Sequence, residues 1–236
     1  MRIDAHLLCH QEAPLVPYVM RHYKDWVDNI YLYAGYSTDG TEEMAEKLGA
    51  KIIFLETHNE LNDAIFREMK NNCWKGSSAD WVIVGDFDEL VYHPNIKDSL
   101  AKKNATIIKT QFYNMYSDSF PTEDMPIIEL VKDGTKAGTK MNLFRPSALA
   151  EINYGAGCHE AHPVGDVIIE ENDNTDIWTL HYRNFGIDYV FKRNDHLAKR
   201  MSKVNLDNHW GFGVLSPKEE TEAWLMNQKK HAFRVL

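Results

Sequence analysis

Trp81-Val82-Ile83-Val84-Gly85-Asp86-Phe87-Asp88-Glu89 is the stretch on which the fold turns. An aromatic and three β-branched residues in a row suit a strand buried on both faces, as in the centre of a parallel sheet. Two carboxylates separated by one residue follow at once. In open α/β sheets ligands collect beyond the carboxyl ends of the strands, so Asp86 and Asp88 fall on the expected binding rim. Paired carboxylates there can hold a divalent cation through oxygen, and such a cation neutralises charge building on a departing diphosphate.

Upstream, short β-rich runs alternate with helical patterns. Strands are expected at 3–9, 30–33 and 51–55, and helices at 12–26, 41–48 and 61–73. Pro14 and Pro17 fall near the start of the first helix, where a missing N–H costs least. Ser37-Thr38-Asp39-Gly40-Thr41 is turn chemistry, and Gly49 suits the residue just past a helix end. Leu61, Ile65, Met69 and Cys73 recur every four residues, as one helix face requires. Strands alternating with helices at this spacing imply a doubly wound sheet. The strand-end rule then brings Cys9-His10-Gln11-Glu12, residues 34–39 and residues 86–89 onto one rim.

Downstream of Tyr92 the pattern loosens. Strands are expected at 105–113, 138–144 and 176–181, with a Gly- and His-rich loop at 154–162 and two closing helices. The last helix opens with Ser216-Pro217-Lys218-Glu219, a capping-box spacing with Pro at the first helical position. No repeat, low-complexity tract or linker divides the chain, so one domain is expected over residues 1–236.

Composition narrows the function. With 236 residues, 44% of them hydrophobic, a sizeable core is available and disorder is excluded. A formal net charge of −9 argues against nucleic-acid binding. Cys9, Cys73 and Cys158 form no C-x-x-C pair and are odd in number, which reads as reduced, buried thiols. The first ten residues are too polar for a signal peptide, and no apolar run is long enough to span a bilayer. The expectation is a soluble, cytoplasmic protein without a transmembrane segment.

The apolar strand ending in Asp86-Phe87-Asp88-Glu89 resembles that of GT-A fold glycosyltransferases of the family 2-like group. So do Cys9-His10-Gln11-Glu12 with its Pro-containing helix, the Ser37-Thr38-Asp39-Gly40-Thr41 turn, and Leu180-His181-Tyr182 followed by Phe191-Lys192. Ala34-Gly35 stand where the group carries an Asp that holds the nucleotide base, and Gln11 stands where it carries Asn. The resemblance runs to about Lys203. It implies an α/β, single GT-A (Rossmann-like) domain with a mostly parallel central sheet flanked by helices, and C-terminal helices. Residues 1–92 would be the nucleotide-binding half and 93–236 the acceptor-binding half. The implied activity is metal-dependent transfer of a hexosyl or deoxyhexosyl group from a nucleotide-diphosphate sugar, with UDP-sugars the expected class. The acceptor would be a hydroxyl of a glycan or glycoconjugate, and the cofactor Mn²⁺ or Mg²⁺.

On this reading Asp88, Asp86 and His181 are the metal ligands. His10, Glu12, Asp39, Arg67 and Asp86 face the donor, and the catalytic set is Asp86, Asp88 and Glu160. His159 and His162 compete with His181 as the imidazole ligand. Glu160 is the expected general base of an inverting transfer, with Glu151 and Asp166 as alternatives; a retaining enzyme needs none. Arg67 also stands four residues after Asp63, the spacing of a surface ion pair. Lys192, Lys199, Arg200 and Lys203 make a basic face, either solvated or clamping phosphate. Trp210-Gly211-Phe212-Gly213 reads as an acceptor lid or as core.

Two other functions share the acidic motif. A haloacid-dehalogenase-like phosphatase uses the first Asp as nucleophile, but its strand lies near the domain start and Gly-Thr follows. Here the strand is the fourth and Glu89-Leu90 follows. A non-catalytic nucleotide-sugar-binding module on the same fold is the third reading.

Overall fold

The run at 81–84 is buried on both faces, as its composition requires. Trp81 and Ile83 join one core of 33 buried residues, and Val82 and Val84 join a second core of 10. The computed structural model describes every residue from Met1 to Leu236. In chain order the elements begin β1 (Ile3–Cys9), α1 (Val16–Tyr23), β2 (Asn29–Ala34), α2 (Thr41–Lys47), β3 (Lys51–Phe54) and α3 (Asp63–Asn72). They continue with β4 (Trp81–Asp86), β5 (Glu89–Tyr92), α4 (Ile96–Ala101), β6 (Ile107–Ser117), α5 (Ile127–Leu130) and β7 (Asp133–Phe144). The short strands β8 (Leu149–Glu151), β9 (Val164–Gly165) and β10 (Ile169–Glu170) precede β11 (Trp178–Phe185). The chain ends in α6 (Gly186–Ala198), α7 (Lys203–Asn208), α8 (Lys218–Lys230) and β12 (Phe233–Arg234).

Ten strands form one sheet whose main path is β3-β2-β1-β4-β7-β6-β11-β5, with β10 on β6 and β12 on β7. Strands β1, β2, β3 and β4 are mutually parallel, and so are β6, β10 and β11. Only β5 and β7 run against the rest. The expected α/β architecture, a mostly parallel central sheet flanked by helices, is the one found.

Chain order reverses between β1 and β4, where Leu8 lies opposite Asp86. Such a switch point leaves a crevice at the carboxyl ends of the two strands. The turn after β4 is pinned on both sides: Phe87 N donates to Leu8 O at 2.9 Å, and Tyr182 N donates to Asp88 O at 2.8 Å. The second bond carries β11, and with it His181, to the acidic strand end.

Several details differ from the sequence expectations, among them three closing helices, α6, α7 and α8, where two were expected. Strand β5 follows the acidic turn directly, and β7 is twelve residues long, beginning well before the expected 138. Its first half is Gly- and Lys-rich, but ladder bonds to β6 set its conformation rather than propensity. The capping box at Ser216 does not form. Pro217 is the N-cap of α8 with no side-chain bond, and Thr221 Oγ1 donates instead to the Ser216 and Pro217 carbonyls. All three cysteines are free thiols. No helix is long and apolar enough to cross a membrane.

Candidate active site

The switch-point crevice is a cavity of about 540 Å³. Its floor is the turn after β4, its near wall the segment after β1, and its far side α3, α6 and residues 209–211. Six cationic side chains line it, Arg67, Lys70, Lys140, Arg183, Arg193 and Arg200, against five carboxylates, Glu12, Asp63, Asp86, Asp88 and Glu89. The chain as a whole carries −9. A cavity with a cationic excess inside an acidic protein is built to receive an anion.

Asp88 is the hub. Its Oδ2 accepts from Arg193 Nη2 at 3.0 Å and lies 3.3 Å from His181 Nε2. Burial pushes its carboxyl up, but His181, Arg193 and Arg183 outweigh burial and hold it well below the usual carboxylate range. Arg193 also donates to Glu12 Oε1 through Nε and Nη2, at 3.3 and 3.1 Å, so one guanidinium ties the ends of β1 and β4 together. The second oxygen of Glu12 is buried without a partner. Burial raises the Glu12 carboxyl to about 7 against the pull of Arg193.

Asp86 is held differently. Lys70, buried on α3, donates to its Oδ1 at 2.6 Å. Burial raises the Asp86 carboxyl, and Lys70 and Lys140 bring it back below its ordinary value. Glu89 is buried against Lys140 at 2.5 Å, with its other oxygen unpartnered. The acidic turn is therefore partly matched by lysines from α3 and β7.

His181 Nδ1 lies 2.9 Å from Asn114 Oδ1. That contact puts a proton on Nδ1 and turns the Nε2 lone pair toward Asp88 Oδ2. Two acceptors 3.3 Å apart call for a cation between them, either a second ring proton or a metal ion. Two ligands of one small divalent ion also sit roughly 3 Å apart. No group of three His, Cys, Asp or Glu side chains stands ready as a protein cage. Two protein donors nonetheless fit a hard cation that keeps its other positions for diphosphate oxygens and water. Asp88 and His181 thus fit Mn²⁺ or Mg²⁺, while the third expected ligand, Asp86, is held by Lys70 instead.

The other sequence candidates divide. His10 lines the cavity, its Nε2 3.2 Å from His196 Nε2, and burial with Arg200 and His196 lowers it to about 4. Arg67 lines the cavity as well, but makes no pair with Asp63. Its guanidinium lies 5.5 Å from the Trp210 ring centroid, while Asp63 exchanges hydrogen bonds with Asn205. Asp39 is not among the cavity walls; it accepts from Ala13 N and Thr41 N and holds the turn before α2. His159 lines the cavity and His162 does not. Glu160 and Asp166 are exposed and outside it, and the half-buried Glu151, paired with Lys75, is outside it too. In the basic stretch only Arg200 turns inward, donating to Asn59; Lys199 and Lys203 pair with Asp195 and Asp207 on the surface.

The sequence reading missed Lys70, Lys140, Arg183 and Arg193. Lys140 had no clear signal, since its neighbours on the same face of β7 are Gly138 and Asn142. Arg193 stands beside Lys192, the residue that the resemblance picked out. Lys70 and Arg183 have no local signal, because only folding shows which way they point.

Fold and site define an α/β protein with a cationic, acid-floored crevice at its strand ends. No protein-family model and no curated protein matches the chain. Solved structures with detectable likeness include a mycobacterial protein at 19% identity and TM-score 0.35, over 48% of this chain and 41% of that one. Glucosyl-3-phosphoglycerate synthase from Mycobacterium tuberculosis with phosphoglyceric acid aligns at 20% identity and TM-score 0.35, over 47% of this chain and 44% of that chain. The same enzyme with Mn²⁺, uridine diphosphate and glucosyl-3-phosphoglycerate gives 19% and 0.35, over 47% and 44%. The match spans less than half the length of these structures. Likeness this distant leaves the activity to be read from the site.

Proposed function

We propose that the protein is a metal-dependent glycosyltransferase using a nucleotide-diphosphate sugar. The single observation that carries this reading is Asp88 beside His181 on the floor of a cavity with more cations than carboxylates. The donor is a UDP-linked hexose or deoxyhexose, as the sequence resemblance implies, and the acceptor is a hydroxyl of a glycan or glycoconjugate. Residues 1–92 supply most of the donor contacts and residues 93–236 most of the acceptor contacts.

Asp88 and His181 would hold Mn²⁺ or Mg²⁺, with Asp86 supporting through water or ribose. When bound, the ion supplies Lewis-acid neutralisation of the leaving diphosphate. Arg193 keeps Asp88 ionised and oriented, and Asn114 holds His181 by Nδ1 so that Nε2 would be available as a metal donor. Arg67, Arg200 and Lys140 offer the diphosphate charge-assisted hydrogen bonds. His10 Nδ1 and Thr57 Oγ1, buried without partners, are free to meet polar groups of the nucleotide.

The test is donor hydrolysis and binding across a panel of nucleotide sugars, with and without Mn²⁺. Wild type should bind a UDP-sugar only with metal, and Asp88→Ala should lower turnover by at least about 100-fold, the cost of losing one key electrostatic group. No donor binding under either condition overturns the reading. Phosphomonoester hydrolysis abolished by Asp86→Asn would instead assign a phosphatase. Donor binding without turnover on any acceptor would assign a binding module.

A further inference from the structure

Beyond His181 the crevice opens into a second cavity of about 590 Å³, which shares His159, His181 and Arg183 with the first. Its chemistry is different. Its walls carry two charged groups, Glu220 and Arg183, whose Nη2 donates to the Asn194 Oδ1 of the same wall at 3.4 Å. The remaining polar wall is amide, hydroxyl and the two imidazoles of His159 and His181.

Asn184, at the end of β11, is the telling residue. It is only 1% exposed, and both its Nδ2 and its Oδ1 lack any partner. Buried amides are nearly always satisfied, so an orphaned donor and acceptor on one side chain point to a ligand that offers both. Neighbouring hydroxyls of a sugar ring do so. Across the cavity, α8 presents Trp224 one helical turn from Glu220, the spacing that puts both on one face. Trp224 is 44% exposed, a large apolar side chain left open on the cavity wall. An aromatic face with a carboxylate one turn away and a buried amide opposite is a platform for stacking a pyranose and binding its hydroxyls.

We propose that this second cavity is the acceptor site and that it takes an uncharged saccharide, stacked on Trp224 and hydrogen-bonded by Asn184 and Glu220. The assignment rests on the glycosyltransferase reading above and adds to it where the acceptor binds, which residues hold it and that it carries no charge. A phosphorylated acceptor would find no second cation among these walls.

Two measurements keep the two ideas apart. Calorimetric titration of UDP in the presence of Mn²⁺ tests the donor site. Saturation-transfer NMR with methyl glycosides of glucose, galactose, mannose and N-acetylglucosamine, and with glycerol 3-phosphate as anionic probe, tests the acceptor site. At least one glycoside should bind the wild type. Trp224→Ala, on an exposed helix face, should weaken it at least about fivefold with the melting curve unshifted. Asn184→Ala should weaken it similarly, and if that variant unfolds the Trp224 variant still decides. UDP binding with no glycoside binding overturns the acceptor assignment alone. So does preferential binding of glycerol 3-phosphate, or an unchanged affinity in Trp224→Ala. Failure of UDP to bind overturns both.

Discussion

Arg193 is the side chain on which the site depends most directly, because it joins Glu12 to Asp88 across the switch point. The cost of that arrangement appears at Glu12. Its carboxyl is buried, one oxygen lacks a partner, and its folded value is about 7 against an ordinary value of 4.5. Between those values the folded chain holds a proton that the unfolded chain has released. The group therefore favours folding at acid pH, and that contribution is lost as pH rises through about 7. Glu12→Gln keeps an acceptor for Arg193 and removes the titration. Urea unfolding from pH 5 to 8 should show wild-type stability declining more steeply than that of Glu12→Gln, by up to about 3 kcal/mol over the window. Parallel pH profiles would show that Glu12 ionises normally. Asp88, held below its ordinary value, acts in the opposite sense and only at more acid pH.

At the scale of elements, Arg193 depends on how α6 leaves β11. Gly186 makes that junction with φ +76°, and a Cβ built there would lie 2.1 Å from the Asp118 carbonyl oxygen. Both the left-handed backbone and the close approach exclude a side chain. Gly186→Ala should cost about 2–4 kcal/mol of stability and loosen the start of the helix that carries Arg193. Gly213→Ala, with nothing within 4 Å of the added carbon, should stay within about 0.5 kcal/mol of wild type. Chemical denaturation of the two variants side by side checks both. Sequence reading thinned well before that junction. Up to Asp88 the strands and helices were legible, because each is a local pattern: a buried apolar run, a four-residue period, a Gly-containing turn. Beyond Tyr92, β7 begins in a Gly- and Lys-rich stretch held by pairing with β6, which local pattern does not encode. The acids of the site were likewise legible from their strand-end position. The cations that match them come from α3, β7, β11 and α6, and only the tertiary fold brings those together.

For the whole molecule, charge sets how an anionic ligand arrives. The chain carries a formal −9, while the cavity alone carries one more cation than carboxylates. A nucleotide diphosphate approaching from solvent meets the acidic surface first and the cationic walls only at close range. These two fields screen differently. At about 0.01 M salt the Debye length is roughly 30 Å and the protein's net repulsion is felt at a distance; at about 0.15 M it is roughly 8 Å. Contacts a few ångströms long inside the cavity change little over that range, because salt screens partly buried pairs weakly. Association should therefore speed up as salt is added, the reverse of a protein that draws anions in by its overall charge. Stopped-flow binding of a fluorescent UDP analogue at a fixed saturating concentration of Mn²⁺ measures this directly. The association rate constant is expected to rise several-fold, by less than about tenfold, from 0.01 to 0.15 M salt, with the dissociation rate nearly constant. A rate constant that falls with salt would mean that the cavity's cations govern the approach from long range, and that the acidic surface is turned away from its mouth.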